Sequence, residues 1–221
     1  MKIIAVVSQK GGAGKTTLAL HIAVAAERAG FSTAILDMDP QGTAEQWSEW
    51  RKEEPPAVVA AKATTLNRRL EQAKAAQGDL VVIDTPLLAQ TEAREAARIA
   101  DLILIPGRPS AFDLDAIRIT ADLANDIRKP AFVVVNAGPP HGTSIYRDVA
   151  DTVERFGLGV APARLAERAA FRHAVREGKS VQELEPDSKA SEEVALLWSW
   201  IASHLGMPQY RNQVIPKGAG A

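Results

Sequence analysis

Short apolar, β-branched runs alternate along the chain with longer stretches whose apolar residues recur at helical spacing. The runs fall at 2–7 (KIIAVV), 33–36 (TAIL), 57–60 (AVVA), 80–83 (LVVI), 102–105 (LILI) and 131–135 (AFVVV), with a weaker candidate near 158–161. Unbroken apolar runs of this length read as strands buried on both faces. Residues 16–29 carry helical periodicity and stop at Gly30, and residues 188–205 place Val194, Leu197, Trp198, Ile201 and Leu205 on one stripe. The alternation predicts an α/β fold, a mostly parallel twisted sheet with helices on both faces, whose ligands bind at the carboxyl ends of the strands.

Composition narrows the picture by exclusion. The chain has 221 residues, 46% hydrophobic and 24% charged, enough for one α/β domain with a substantial core. That domain is expected over 1–205. The segment 206–221, GMPQYRNQVIPKGAGA, reads as a poorly ordered tail from its Gly and Pro content. No cysteine is present, which removes disulfides, thiolate metal sites and Cys nucleophiles. No apolar run approaches the roughly 18 residues of a membrane span and no leader pattern is apparent, so a cytoplasmic protein is expected. The four histidines lack metal-ligand spacing, and the net charge of −1 says little about partners.

Chemistry concentrates in residues 8–17, SQKGGAGKTT. A phosphate-binding loop normally reads G-x-x-x-x-G-K-[ST], but Gln9 occupies the first glycine position, the glycines cluster at Gly11, Gly12 and Gly14, and a second lysine, Lys10, joins Lys15. The loop lies between a predicted strand and a predicted helix, the setting of a P-loop NTPase. There the backbone N–H groups of residues 11–16 form an anion cradle at a helix N-terminus. The expected nucleotide contacts are Gly11, Gly12, Ala13, Gly14, Lys15, Thr16 and Thr17, with Lys15 on the β- and γ-phosphates and the Thr16 hydroxyl on Mg2+.

Other strand ends supply acids. LVVI at 80–83 runs into Asp84-Thr85-Pro86, which reads as a Walker-B aspartate serving Mg2+ through water, followed by a switch segment; a simple helix cap is the alternative. TAIL at 33–36 runs into Asp37-Met38-Asp39, where Asp37 is expected to cap or orient the loop and Asp39 to activate the attacking water. Asn136 closes 131–135 where a guanine site would want Asn-Lys-x-Asp, so guanine is disfavoured and ATP expected. Its amide suits the adenine edge, or else opens a turn with Gly138 and Pro139.

KGGAGKTT at 10–17, DMDPQ at 37–41, VVIDTP at 81–86 and DLILIP at 101–106 together resemble the ParA/MinD class of deviant Walker-A ATPases, and within it short ParA-type partition ATPases. The likeness spans roughly residues 2–205. It implies a homodimer assembled face to face around ATP, with Lys10 reaching the partner's phosphates, and slow hydrolysis stimulated by a ParB-like or small adaptor protein. Plasmids, chromosomal origins and protein clusters are all cargoes the resemblance allows. The switch reads TPLLAQTEA, where many partition ATPases have a second Pro or a Gly near Leu87 and Leu88.

The resemblance also implies non-specific binding to double-stranded DNA through a basic C-terminal region, and so association with the nucleoid in the ATP-bound state. Residues 164–179, RLAERAAFRHAVREGK, carry Arg164, Arg168, Arg172, Arg176 and Lys179 against Glu167 and Glu177. Arginines every four positions would share about a third of a helix's circumference, and a merely solvated basic face is the alternative. A MinD-like membrane ATPase is disfavoured because the polar side of the last helix offers Glu192 and Glu193 rather than basic residues. A ligase resembling dethiobiotin synthetase would leave Lys10 without evident use, and a nitrogenase-type reductase falls with the missing cysteines.

Overall fold

The computed structural model describes residues 1–52, 54–87, 90–109, 111–141 and 144–210. In chain order the elements are β1 (Lys2–Val6), α1 (Lys15–Arg28), β2 (Thr33–Asp37), α2 (Thr43–Trp50), β3 (Ala57–Ala60), α3 (Leu66–Ala75), β4 (Leu80–Asp84) and α4 (Gln90–Ile99). There follow β5 (Leu102–Gly107), α5 (Ala111–Ile127), β6 (Ala131–Gly138), α6 (Ser144–Glu154), β7 (Gly159–Val160), β8 (Leu165–Ala166), α7 (Ala169–Arg176), α8 (Val181–Leu184) and α9 (Lys189–His204).

The strands lie side by side as β3-β2-β4-β1-β5-β6-β7, all pairings parallel, and β8 runs beside β6 beyond the end of β7. Parallel pairing demands crossover connections, and these deliver helices to both faces. Alternate residues of the central strands serve two cores. Ile4, Val6, Val82 and Leu104 face a layer built with α1, α2, α7, α8 and α9. Ala5, Val81, Ile83 and Ile103 face α3, α4, α5 and α6. The expected architecture is thus the observed one, and β1 lies centrally between β4 and β5 with its carboxyl end flanked by theirs.

The last helix also behaves as its pattern predicts: Val194, Leu197, Trp198, Ile201 and Leu205 are buried in the first of these cores. Ser188 caps it by accepting a hydrogen bond from the Ser191 N–H.

Residues 164–179 do not form one helix. Leu165–Ala166 is β8, Arg168 is an extended N-cap, α7 begins at Ala169, and Gly178 turns left-handed at φ +65°. The cause is lateral pairing: β6 runs to Gly138, past the end of β7, and the open part of its edge takes up Leu165 and Ala166. A two-residue strand leaves no periodic signal. Of the tail expected from Gly206, residues 206–210 are described, with the Gln209 amide donating to the Ser199 hydroxyl; residues 211–221 lie outside the described residues, as does Leu88 of the switch segment.

Candidate functional site

The chain leaves β1 and reaches α1 through the glycine loop. Gly12 and Gly14 take left-handed φ of +72° and +90°. A Cβ on Gly14 would lie 2.1 Å from the Asn136 Nδ2, so glycine is required there by backbone conformation and by a neighbouring side chain together. The first helical hydrogen bond runs from the Leu18 N–H to the Gly14 carbonyl, and α1 has neither a side-chain cap nor an acid in its first turn. The N–H groups at its start are therefore available to an anion, with the helix dipole behind them.

These groups open onto a cavity of about 740 Å3. Gly11, Gly12, Gly14, Lys15, Thr16 and Thr17 form one wall, and Met38, Asp39, Pro40 and Gln41 from the end of β2 form another. Lys62, Pro86, Leu87 and Glu92 complete it. Ala13 is not on the lining; its side chain is buried and its carbonyl accepts from the Asn136 amide at 2.8 Å. Lys10, half-exposed at the entrance to the loop, does not line the cavity that Lys15 lines.

Three aspartates behave differently because their surroundings differ. Asp37 is buried and accepts from the backbone N–H groups of Asp39, Ala44 and Glu45 at 3.0, 2.9 and 3.2 Å, which fastens the turn after β2 and the start of α2. Burial still raises its pKa, with Asp39 nearby adding to the rise. Asp39 is half-exposed on the cavity wall and accepts from the Gln41 N–H at 2.9 Å. Asp84, at the end of β4, is fully buried, and neither carboxylate oxygen has a hydrogen-bond partner of good geometry among the described residues. Burial pushes its pKa up to about 7, with Asp37 adding to the rise; the Thr16 hydroxyl and the Lys15 ammonium pull the other way.

An orphaned buried carboxylate beside a threonine hydroxyl and an anion cradle fits a hydrated Mg2+ held jointly with phosphates. Among the described residues no cluster of three or more His or acidic side chains could hold a metal alone, and a phosphate-bound Mg2+ needs none. Lys15 is itself mostly buried, and burial lowers its pKa against the opposing pull of Asp84 and Asp39. Thr85 locks the turn after β4 by donating its hydroxyl to the Val6 carbonyl at 2.8 Å.

Asn136 stands in a role that its position at a strand end did not reveal. The amide nitrogen expected at the adenine edge donates to the Ala13 carbonyl and so braces the glycine loop, while its Oδ1 accepts from the Ala137 N–H at 3.0 Å. Lys62, Glu92 and Arg108 were missed. They carry no motif, but Lys62 and Arg108 lie just beyond predicted strands, so the strand-end rule applied to every strand would have found both.

The four arginines expected on one helix face are dispersed. Arg168 is paired with Glu193 at 2.7 Å, and Arg164 lies over the Tyr146 ring at 3.8 Å from its centroid. Arg172, Arg176 and Lys179 are exposed, Arg172 with Glu167 at 4.0 Å. An N-cap and a stacked pre-strand residue do not share a helical stripe with Arg172 and Arg176.

The family model for the CobQ/CobB/MinD/ParA nucleotide-binding domain matches residues 4–181. The chain is 33% identical over 189 residues to the maintenance of carboxysome distribution protein A of Halothiobacillus neapolitanus, covering 82% of this chain and 87% of that protein. It is 28% identical over 180 residues to the protein ParA of Rhizobium radiobacter, covering 77% and 81%. In fold it is similar to the ATP complex of a Cyanothece McdA variant, with a TM-score of 0.74 at 17% identity over 96% of this chain and 99% of that one. The Pyrococcus furiosus cell division ATPase MinD gives 0.71 at 19% identity over 91% and 98%.

Proposed function

The chain belongs to the CobQ/CobB/MinD/ParA nucleotide-binding family, and from that premise we propose that it is a ParA-type positioning ATPase that dimerises around ATP, grips DNA without sequence preference and places a cargo in the cell. The observation that carries the reading is the pairing of an uncapped helix N-terminus under two left-handed glycines with Lys15 and Asp39 on one cavity, and with Asp84 buried close to Lys15 and Thr16. The loop N–H groups and Lys15 bind the phosphates. Thr16, and Asp84 through water, would hold Mg2+, which would supply charge neutralisation on the phosphates. Asp39 orients the attacking water and accepts its proton.

The position of Lys10 outside the cavity that Lys15 lines supports a contact with the partner's nucleotide in the dimer. Exposed Arg172, Arg176 and Lys179 supply the basic surface for DNA, doubled by dimerisation and weakened by salt. Similarity to a carboxysome distribution protein supports a protein assembly as cargo and a small adaptor protein as the stimulating partner. These roles place the protein in the cytoplasm, on the nucleoid when ATP is bound. Against a lipid anchor in α9 stands the burial of its apolar stripe, and no described helix is long and apolar enough to cross a membrane. ATP titration by calorimetry tests the site: Lys15→Ala is expected to abolish binding, and unchanged affinity in that variant would remove the phosphate-loop reading.

A further inference from the structure

The glycine loop has a second side. Gly12, Gly14 and Thr17 wall the phosphate cavity and also wall a separate cavity of about 260 Å3. Its far wall joins three parts of the chain that the motifs leave unconnected: Arg108, the first residue after β5; Asn136 and Ala137 at the end of β6; and Arg168, Phe171 and Arg172 at the start of α7.

The charge on that wall is uneven. Three arginines line the cavity against one acid, Glu167. Arg168 is neutralised by Glu193 and Arg172 faces Glu167, whereas Arg108 is exposed and has no ion-pair or hydrogen-bond partner among the described residues. A guanidinium is always charged and presents paired N–H donors suited to phosphate oxygens.

The direction in which a nucleotide must leave the loop follows from the lining. With its terminal phosphates over Lys15 and Thr16, one side of the loop is taken by Asp39, Lys62 and Glu92, two acids among them, where a sugar and base would displace the attacking water. The other side shares Gly12, Gly14 and Thr17, the residue one step further into α1, with Arg108 opposite. We propose that Arg108 is a nucleotide-binding residue whose guanidinium holds the α-phosphate and sugar. The inference rests on the ATP-site reading and deepens it. It also gives the residue a specific signature: the groups it contacts are common to ATP and ADP, so its loss must weaken both alike.

The test is calorimetric titration of the full-length protein with ATP and with ADP, both with Mg2+, for wild type, Arg108→Gln and Arg108→Lys, with Lys15→Ala alongside. Because Arg108 is exposed and unpaired, Arg108→Gln is expected to melt at the wild-type temperature. It should lose about tenfold in affinity for both nucleotides, the size of one charge-assisted hydrogen bond, with Arg108→Lys in between. Affinities within about twofold of wild type for both nucleotides would overturn the proposal, and so would a loss confined to ATP, which would place Arg108 at the γ-phosphate or across a dimer. Retention of affinity by Lys15→Ala would instead overturn the phosphate-loop reading beneath it, whatever Arg108 does.

Discussion

Asp84 is the residue whose environment does most to define the site, since its carboxylate is buried with no good hydrogen-bond partner among the described residues and burial holds its pKa at about 7. Between an unfolded value near 4 and the folded value near 7, the native state keeps a proton that the unfolded chain releases, so this group lowers stability as pH rises through that window. Asp84→Asn is therefore expected to stabilise the nucleotide-free protein by up to about 4 kcal/mol above pH 7 and to change little near pH 4. The same variant should lose the extra stability that Mg2+ with ATP gives wild type. Thermal melts across pH check both, and a variant less stable than wild type at pH 8 would count against an orphaned carboxylate. At this scale the sequence was informative about position wherever a motif fixes it: Lys15, Thr16, Asp39 and Asp84 all gather at the loop, while Asp37 fastens the turn after β2 and the start of α2. It was silent where the role depends on what lies across the sheet. Asn136 braces Ala13 from 123 positions away, so Asn136→Ala should weaken ATP and GTP by similar factors; a selective loss of ATP would return Asn136 to the adenine edge.

The elements most legible from pattern are the long ones with an unbroken period, namely the buried strands, α1 and α9. The segment before α7 was misread because its conformation is imposed by β6, and the consequence reaches the DNA surface. Arg176→Glu with Lys179→Glu should abolish ATP-dependent shifts of unrelated duplexes while leaving ATP affinity intact, since neither residue lines a cavity beside the glycine loop. Arg168→Glu should act mainly on stability, since it would set a like charge against Glu193. An electrophoretic shift and a melt for each variant separate the two effects. The far end of α7 is fixed by α2. Arg51 donates to both carboxylate oxygens of Glu183 at 2.9 and 2.7 Å and to the Gly178 carbonyl at 3.1 Å. A Cβ on Gly178 would lie 2.6 Å from the Arg51 backbone nitrogen. Arg51→Met leaves Glu183 without its partner, and urea unfolding is expected to show a loss of about 3 kcal/mol. No sequence signal announced this clamp, because its members are 132 positions apart and each alone is an ordinary surface charge.

For the whole molecule, two hydrophobic layers hold a parallel sheet so that the glycine loop, the three aspartates and the second cavity meet at the carboxyl ends of the central strands. That general placement was legible from the alternation of apolar runs and helical periods. What distinguishes the site is its division between two lysines, one on the cavity wall and one outside it. In the proposed mechanism ATP completes a dimer in which Lys10 serves the partner's nucleotide while Asp39 handles water in its own subunit. Size-exclusion chromatography with light scattering, in ATP and Mg2+, tests it directly on wild type, Lys10→Ala and Asp39→Ala. Asp39→Ala is expected to run as a stable dimer and Lys10→Ala as a monomer, with hydrolysis low in both. Identical masses for the two variants would contradict it.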